Sequence, residues 1–244
     1  MRNRITIVLL SLFVVQFASA KQERIHFDLK FGFLKGGEAE LTVTDTVYNG
    51  RPAIHYHVLG KTTGLADKLY GVYDIYETTV DAETHLPLKT IRNVQEGSYR
   101  KYNETLFYHD VDSIVSQRSG GRKVPPNLVD IISVFFYFVH TNVIDQMSPG
   151  DGVTYPTLNA DKISNISIRY FRDEVVDTDI GKIDCYVLNP TVAKGKVLEK
   201  SDGIRFYMSK EKKLPVLITF EMRVGALKAS INSHTIDGVE QITR

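Results

Sequence analysis

Two histidines, His55 and His57, stand two residues apart. On a strand that spacing puts both imidazoles on one face, half of a metal site. No third ligand is evident: His26, His85, His109, His140 and His234 are scattered without metal-type spacing. Hydrogen-bonded strand histidines are the simpler reading, and neither a metal nor a cofactor is expected. Four carboxylates, Asp67, Asp74, Glu77 and Asp81, surround Tyr70, Tyr73 and Tyr76. Paired acids beside aromatic rings cleave glycosidic bonds when both face one cleft; the same composition also makes a strand with a wet face. Cys185 lies in the alternating run Ile183-Asp184-Cys185-Tyr186-Val187. A nucleophilic thiol needs a setting that lowers its pKa, and no local cue for one exists, so Cys185 reads as a small core residue. The chain has no Gly-x-Ser-x-Gly elbow, phosphate loop, dinucleotide fingerprint or zinc-protease helix. No catalytic residue is assigned, and a glycan-acting enzyme ranks third among the functional readings.

The aromatic load points elsewhere. There are 13 Tyr, 12 Phe and no Trp. Such residues suit strands and core packing without any ligand. They also suit a curved sheet that encloses an apolar molecule. The residues expected to line that site are Phe31, Phe33, Tyr56, Tyr70, Tyr73, Phe135, Phe136 and Phe138.

The elements that would position them are mostly strands. Ile25, Phe27, Leu29, Phe31 and Phe33 fall on every second residue, a half-buried strand. Gly36-Gly37 reads as the turn after it, and Asn49-Gly50 as a hairpin before Ile54, Tyr56 and Val58. Further strands are expected near 73–81, 87–95, 99–109, 112–118, 164–176, 182–189, 203–209, 215–224 and 226–236. No βαβ spacing occurs, which disfavours a parallel sheet. Short helical turns are expected over Gly64–Tyr70, and a longer helix over Asn127–Thr141, with Asn127 as cap after Pro125-Pro126 and Asp130 near its positive end. That helix is apolar on nearly all sides, so it must be buried. Thr79–Leu88 echoes Tyr207–Val216, each a strand, a charged turn, Leu-Pro and another strand. The fold class expected is mainly β: a single curved antiparallel sheet or open β-barrel, with one or two short helices packed in its concavity.

Residues 1–20 have the order of a secretory leader: Arg2 and Arg4, an apolar run from Ile5 to Phe17, then Ala18-Ser19-Ala20. Cleavage before Lys21 would leave 21–244 as a single periplasmic domain, released because residue 21 is not a cysteine. Neither this run nor any other is long enough for a bilayer span of about 20 residues. The leader carries two arginines and no acid, so its loss takes the formal charge from +1 to −1. That balance argues against nucleic acid as a partner. One cysteine permits no internal disulfide, so burial must stabilise the fold. Lys194, Lys196, Lys200, Lys210, Lys212 and Lys213 read as solvated turn residues, and Asn103-Glu104-Thr105 and Asn165-Ile166-Ser167 as sequons of the kind that arise by chance.

Several loose motifs occur in a telling order: Gly36-Gly37-Glu38-Ala39, then Tyr70-Gly71-Val72-Tyr73-Asp74 leading to Asp81 and Leu86-Pro87, then Asp130 ahead of Ile131–Phe138. Gly150-Asp151, Gly181–Cys185 and Ile204–Ser209 before Leu214-Pro215-Val216 complete the set. In that order the chain resembles a bacterial envelope family of unknown function, DUF3108, over nearly all of residues 21–244. The resemblance implies a periplasmic antiparallel β protein and carries no activity with it. The Leu-Pro hairpins are also similar, at the level of fold, to periplasmic lipoprotein carriers, whose curved sheet and helical lid hold acyl chains. The function expected is a non-enzymatic periplasmic protein binding a lipid or acyl chain; the alternative is a cell-envelope interaction or assembly module whose partner is an envelope protein.

Overall fold

The computed structural model describes residues 20–141, 143–191, 203–221 and 225–241. The expected leader apart from Ala20, and Lys194, Lys196 and Lys200, lie outside the described residues. The described chain forms β1 (Gln22–Phe31), β2 (Leu34–Tyr48), β3 (Arg51–Thr62), α1 (Gly64–Leu69), β4 (Tyr73–Asp81), β5 (Pro87–Glu96), β6 (Tyr99–Tyr108), β7 (Ser113–Ser116) and β8 (Gly120–Lys123). There follow β9 (Val129–Asp130), α2 (Ser133–His140), β10 (Gly152–Asn159), β11 (Lys162–Thr178), β12 (Gly181–Thr191), β13 (Ile204–Ser209), β14 (Pro215–Glu221), β15 (Ala226–Ile236) and β16 (Val239–Glu240).

All sixteen strands belong to one sheet, in the order β8-β7-β6-β5-β4-β3-β2-β1-β15-β14-β13-β12-β11-β10-β9, with β16 beside β15. The ladders are antiparallel except for a two-residue parallel pair between β9 and β10. The curved sheet expected from the alternation is therefore present. Asn49 and Gly50 both take positive φ, 49° and 79°, as the tight hairpin between β2 and β3 requires.

The two end strands, β8 and β9, do not pair with each other. Side chains bridge that side of the roll instead. Arg122 Nη2 donates to Asp161 Oδ1 at 3.2 Å, and Ser119 Oγ donates to the same oxygen at 3.1 Å. Thr78 Oγ1 on β4 donates to Asp130 Oδ1 on β9 at 2.8 Å. Asp130 is buried, and the N–H groups of Ile132 and Ser133 and the Ser133 hydroxyl also donate to it. Burial pushes its carboxyl up from the ordinary value, and these hydrogen bonds oppose the shift.

α2 lies in the concavity. Phe136 stacks on Tyr56 of β3 at 4.0 Å, and Phe135 stacks on Phe206 of β13 at 4.1 Å. One helix thus rests on both arms of the roll. α1, by contrast, buries none of its residues and sits at the rim.

Three local expectations need correction. The helix expected over Asn127–Thr141 spans only Ser133–His140. Asn127 is not its cap but a left-handed residue at φ 54°, and Val129-Asp130 is a strand. β-branched residues ahead of Ser133 favour extended backbone, and the Asp130 carboxylate serves the N–H groups at the helix start. Secondly, Gly36-Gly37 is not the turn. The chain reverses at Gly32-Phe33, and the two glycines lie within β2, where its register with β1 shifts. A Cβ on Gly37 would stand 2.6 Å from the Lys61 carbonyl oxygen, so glycine here permits close approach of β3. Thirdly, β8, β10 and β16 are strands that the alternation does not mark.

Candidate functional site

Two apolar cavities that share Val58 follow one another along the inner face of the roll and form a half-open channel. Its middle section, about 290 Å³, lies between α2 and both arms of the sheet. Phe27, Leu41 and Val58 wall one side, Phe206 the other, and Phe135 and Phe136 the helix side. An outer section of about 460 Å³, towards α1, is lined by Leu29, Phe31, Gly37, Gly60 and Leu227 and shares Val58. On a strand, residues i and i+2 share a face. From the middle to the outer section the walls advance by that step on four strands: Phe27 to Leu29 to Phe31, Ala39 to Gly37, Val58 to Gly60, and Ala229 to Leu227. The two sections are successive stations along one face.

Small residues keep this face clear. A Cβ on Gly60 would meet nothing within 4 Å, and its backbone is not in the left-handed region. Sites that enclose small molecules are typically about 300–1,000 Å³ with mostly apolar walls, and the channel is of that order.

A third cavity, about 640 Å³, opens at the opposite end. Ile25 and Ile231 line it one step beyond Phe27 and Ala229, but its mouth is charged: Lys182, Asp184, Lys210 and Glu211. Its charges are largely answered within the protein. Lys210 pairs with Asp173 at 2.7 Å and Asp184 at 3.3 Å, and Lys212 with Glu211 at 3.5 Å. It offers no uncommitted set of cations for an anion.

Of the eight aromatic residues expected to line a site, three border these cavities. Phe135 and Phe136 wall the middle section and Phe31 the outer one. Tyr56 is buried behind Phe136 and supports it. Phe138 is buried in a second cluster, edge-on to Tyr155 at 6.5 Å. Phe33 stands on the β1–β2 turn, 91% exposed. Tyr70 lies over the β5–β6 turn, where a Cβ on Gly97 would come within 2.8 Å of its ring, and Tyr73 is exposed at the start of β4. Sequence reasoning passed over Leu29, Gly60 and Phe206; alternation of Ile204, Phe206 and Met208 was the available signal for the last.

The chemistry-bearing residues are otherwise employed. His55 Nε2 faces Glu77 at 3.2 Å and its Nδ1 meets the Thr79 hydroxyl at 3.0 Å. Among the described residues no three His, Cys, Asp or Glu side chains converge as metal ligands. Asp74 lines the outer section and accepts from the Gln95 N–H at 3.0 Å, and burial and the Asp74 charge push the Glu96 carboxyl up. Asp81 is engaged by its own turn. Burial and the nearby Asp184 and Glu174 push the Cys185 thiol up to about 12, the reverse of what a nucleophile needs. His140, the last residue of α2, stacks on His85 at 4.9 Å. Burial, with the charges of His85 and Lys213, lowers its pKa to about 4.

A sheet rolled around an apolar channel, with one short helix inside, defines an open, barrel-like β protein. The chain belongs to the family of proteins of unknown function DUF3108, whose model matches residues 26–232. Among solved structures it is similar to a "beta-barrel-like protein of domain of unknown function DUF1849" from Brucella abortus, with a TM-score of 0.56 at 8% identity, covering 89% of this chain and 98% of that one. At that identity the likeness is one of fold. No curated protein matches the sequence.

Proposed function

We propose that the protein is an exported, non-enzymatic carrier or receptor for an apolar ligand, a lipid or acyl chain, held in the channel between α2 and the β1–β3 face. The observation that carries this reading is the continuity of the channel along four strands, with Gly60 facing empty space. A fully packed interior would leave no apolar cavity between α2 and both arms of the sheet. The leader-like residues 1–20 support export to the periplasm.

The test is binding of a fluorescent fatty acid by the purified protein, together with native mass spectrometry of protein isolated from its own envelope. G60F puts a ring into the channel on ordinary strand backbone. It is expected to weaken probe binding by about tenfold or more while thermal unfolding stays near that of the wild type. Equal affinity of G60F and wild type, or failure of the wild type to take up any acyl probe, overturns the proposal. An interaction module is the second reading; exposed apolar residues at the channel's outer end favour it.

A further inference from the structure

Exposed large apolar residues occur at several places on the surface, Val47, Val175 and Val239 among them, but the most exposed of them gather at one end. On the β1–β2 turn they are Phe33 and Leu34, and on and just after α1 they are Leu65, Leu69 and Tyr70. Phe33, Leu65 and Leu69 are 91%, 72% and 78% exposed. The two segments adjoin: the Thr63 N–H donates to the Gly36 carbonyl at 3.0 Å, and a Cβ on Gly36 would be 3.6 Å from the Ala66 Cβ. The outer section of the channel, lined by Phe31, Gly36 and Ala66, lies at this tip. The far end of the roll carries the charged cavity instead.

Four lysines, Lys30, Lys35, Lys61 and Lys68, stand around the tip, while Asp74 lies on its inner side, where it lines the outer section. Lys30, Lys35 and Lys61 share only two carboxylates, Asp28 and Glu38. Asp67 is the one acid of α1, and it accepts from the Thr62 hydroxyl at 3.0 Å. Lys68 stands beside Leu69 with no carboxylate partner among the described residues. Long lysine stems can lie along apolar surface while their ammonium groups reach a polar layer. Apolar side chains beyond a collar of lysines match an anionic bilayer, where acyl chains lie beneath headgroup phosphates.

We propose that this tip docks on an anionic phospholipid bilayer and that the outer section is the portal by which an acyl chain passes between membrane and channel. The portal role rests on the binding function proposed above; the docking does not. Phe33 and Leu34 enter the acyl boundary on one side and Leu65 and Leu69 on the other. Lys68 and the lysine collar meet the phosphates.

The chain contains no tryptophan, so F33W is a lone reporter. On vesicles of phosphatidylethanolamine and phosphatidylglycerol its emission should shift to the blue, and brominated acyl chains should quench it. Adding L65E and L69E should abolish both effects and cosedimentation, and K68E should weaken binding. These positions are exposed, and circular dichroism checks that the variants fold. Unchanged F33W emission on vesicles, or L65E/L69E binding as the parent does, overturns docking. So does burial of the introduced indole in a dimer or on a protein partner when no vesicle is present. G60F separates the two proposals: it should still dock while losing the acyl probe. A wild type that takes up the probe from solution but never docks overturns this inference and leaves the channel standing. A wild type that docks but never takes up the probe overturns the channel and the portal alone.

Discussion

The turn between β4 and β5 and the turn between β13 and β14 lie on opposite arms of the sheet, and their backbones follow the same path. The Asp81 N–H donates to the Leu86 carbonyl at 3.0 Å, and the Ser209 N–H to that of Leu214 at 2.9 Å. His85 and Lys213 take left-handed φ, 56° and 54°, ahead of the Leu-Pro pair. Each turn is preceded by a register shift, at Thr79/Val80 and at Tyr207/Met208. The side chains differ. Asp81 Oδ1 accepts from the N–H groups of Glu83 and Thr84 and from the Thr84 hydroxyl, whereas Ser209 Oγ accepts from one N–H, that of Lys212. Leu214 is buried in the core and Leu86 is only half-buried. The backbone thus follows from a proline that fixes the first residue of the returning strand, while the oxygen that anchors the turn is interchangeable. His85 and Lys213, at equivalent places, both act on His140 at the end of α2.

The comparison can be tested by substitution in each arm. The largest effect is expected at the leucines. L214A should lower the unfolding free energy by about 2–4 kcal/mol and L86A by roughly half as much, in chemical denaturation. Equal losses would mean that burial does not distinguish the arms.

Next come the anchoring oxygens. D81A should cost about 1–2 kcal/mol and S209A nearer 0.5–1 kcal/mol. The Asp81 carboxyl is held below its ordinary 3.8, first by the Thr84 N–H. A depressed carboxyl contributes stability that is present above the ordinary value and lost as pH falls through the folded one. The D81A deficit should therefore be full at neutral pH and shrink in acid; a deficit unchanged in acid would show that the charge is idle.

His140 should yield a smaller effect of recognisable shape. Its unfolded value is near 6.5 and its folded value about 4, so between those pH values the unfolded chain binds the extra proton. Stability should fall as pH drops through that window, and H140Q should reduce the slope by up to about one proton. Wild type and H140Q with parallel profiles would remove His140 from the account. The smallest effect is expected at the left-handed residues. K213G relieves strain but loses a partly buried ion pair with Asp145 and an ammonium placed over the Tyr186 ring, so the two effects largely offset and stability should change by no more than about 0.5 kcal/mol. H85G should be the less favourable of the two because it also removes the ring stacked on His140; the reverse order in thermal unfolding would break the comparison.

Much of this architecture was legible in residue order. Alternation marked β1, Asn49-Gly50 marked a hairpin, and the Leu-Pro echo marked the paired turns. β10 is hidden in sequence because Pro156 lies within it; its β9 partner pairs only with Thr157 and Leu158, so a strand there tolerates the missing N–H. The start of α2 is not legible because Val129, Ile131 and Ile132 suit strand and buried helix alike. In the channel, Phe31, Phe135 and Phe136 could be found from apolar content and face. Phe33 continues the alternation of β1 past the end of the strand, and pattern alone does not show where pairing stops. Gly60 reads in sequence as a weak strand residue; only the rolled sheet reveals that it faces empty space.

The seat of β1 at the middle of the sheet bears on how the chain can fold. One neighbour, β2, follows it at once, but the other is β15, so that Phe27 lies opposite Ile231. During synthesis one edge of β1 waits for almost the whole chain, exposing unpaired N–H and C=O groups meanwhile. Closure of that seam is a late, non-local event of the kind that slows β-rich folding. A chain cut short before β15 would leave its two arms with no ladder joining them at β1, and its central strand open to whatever strand it met first.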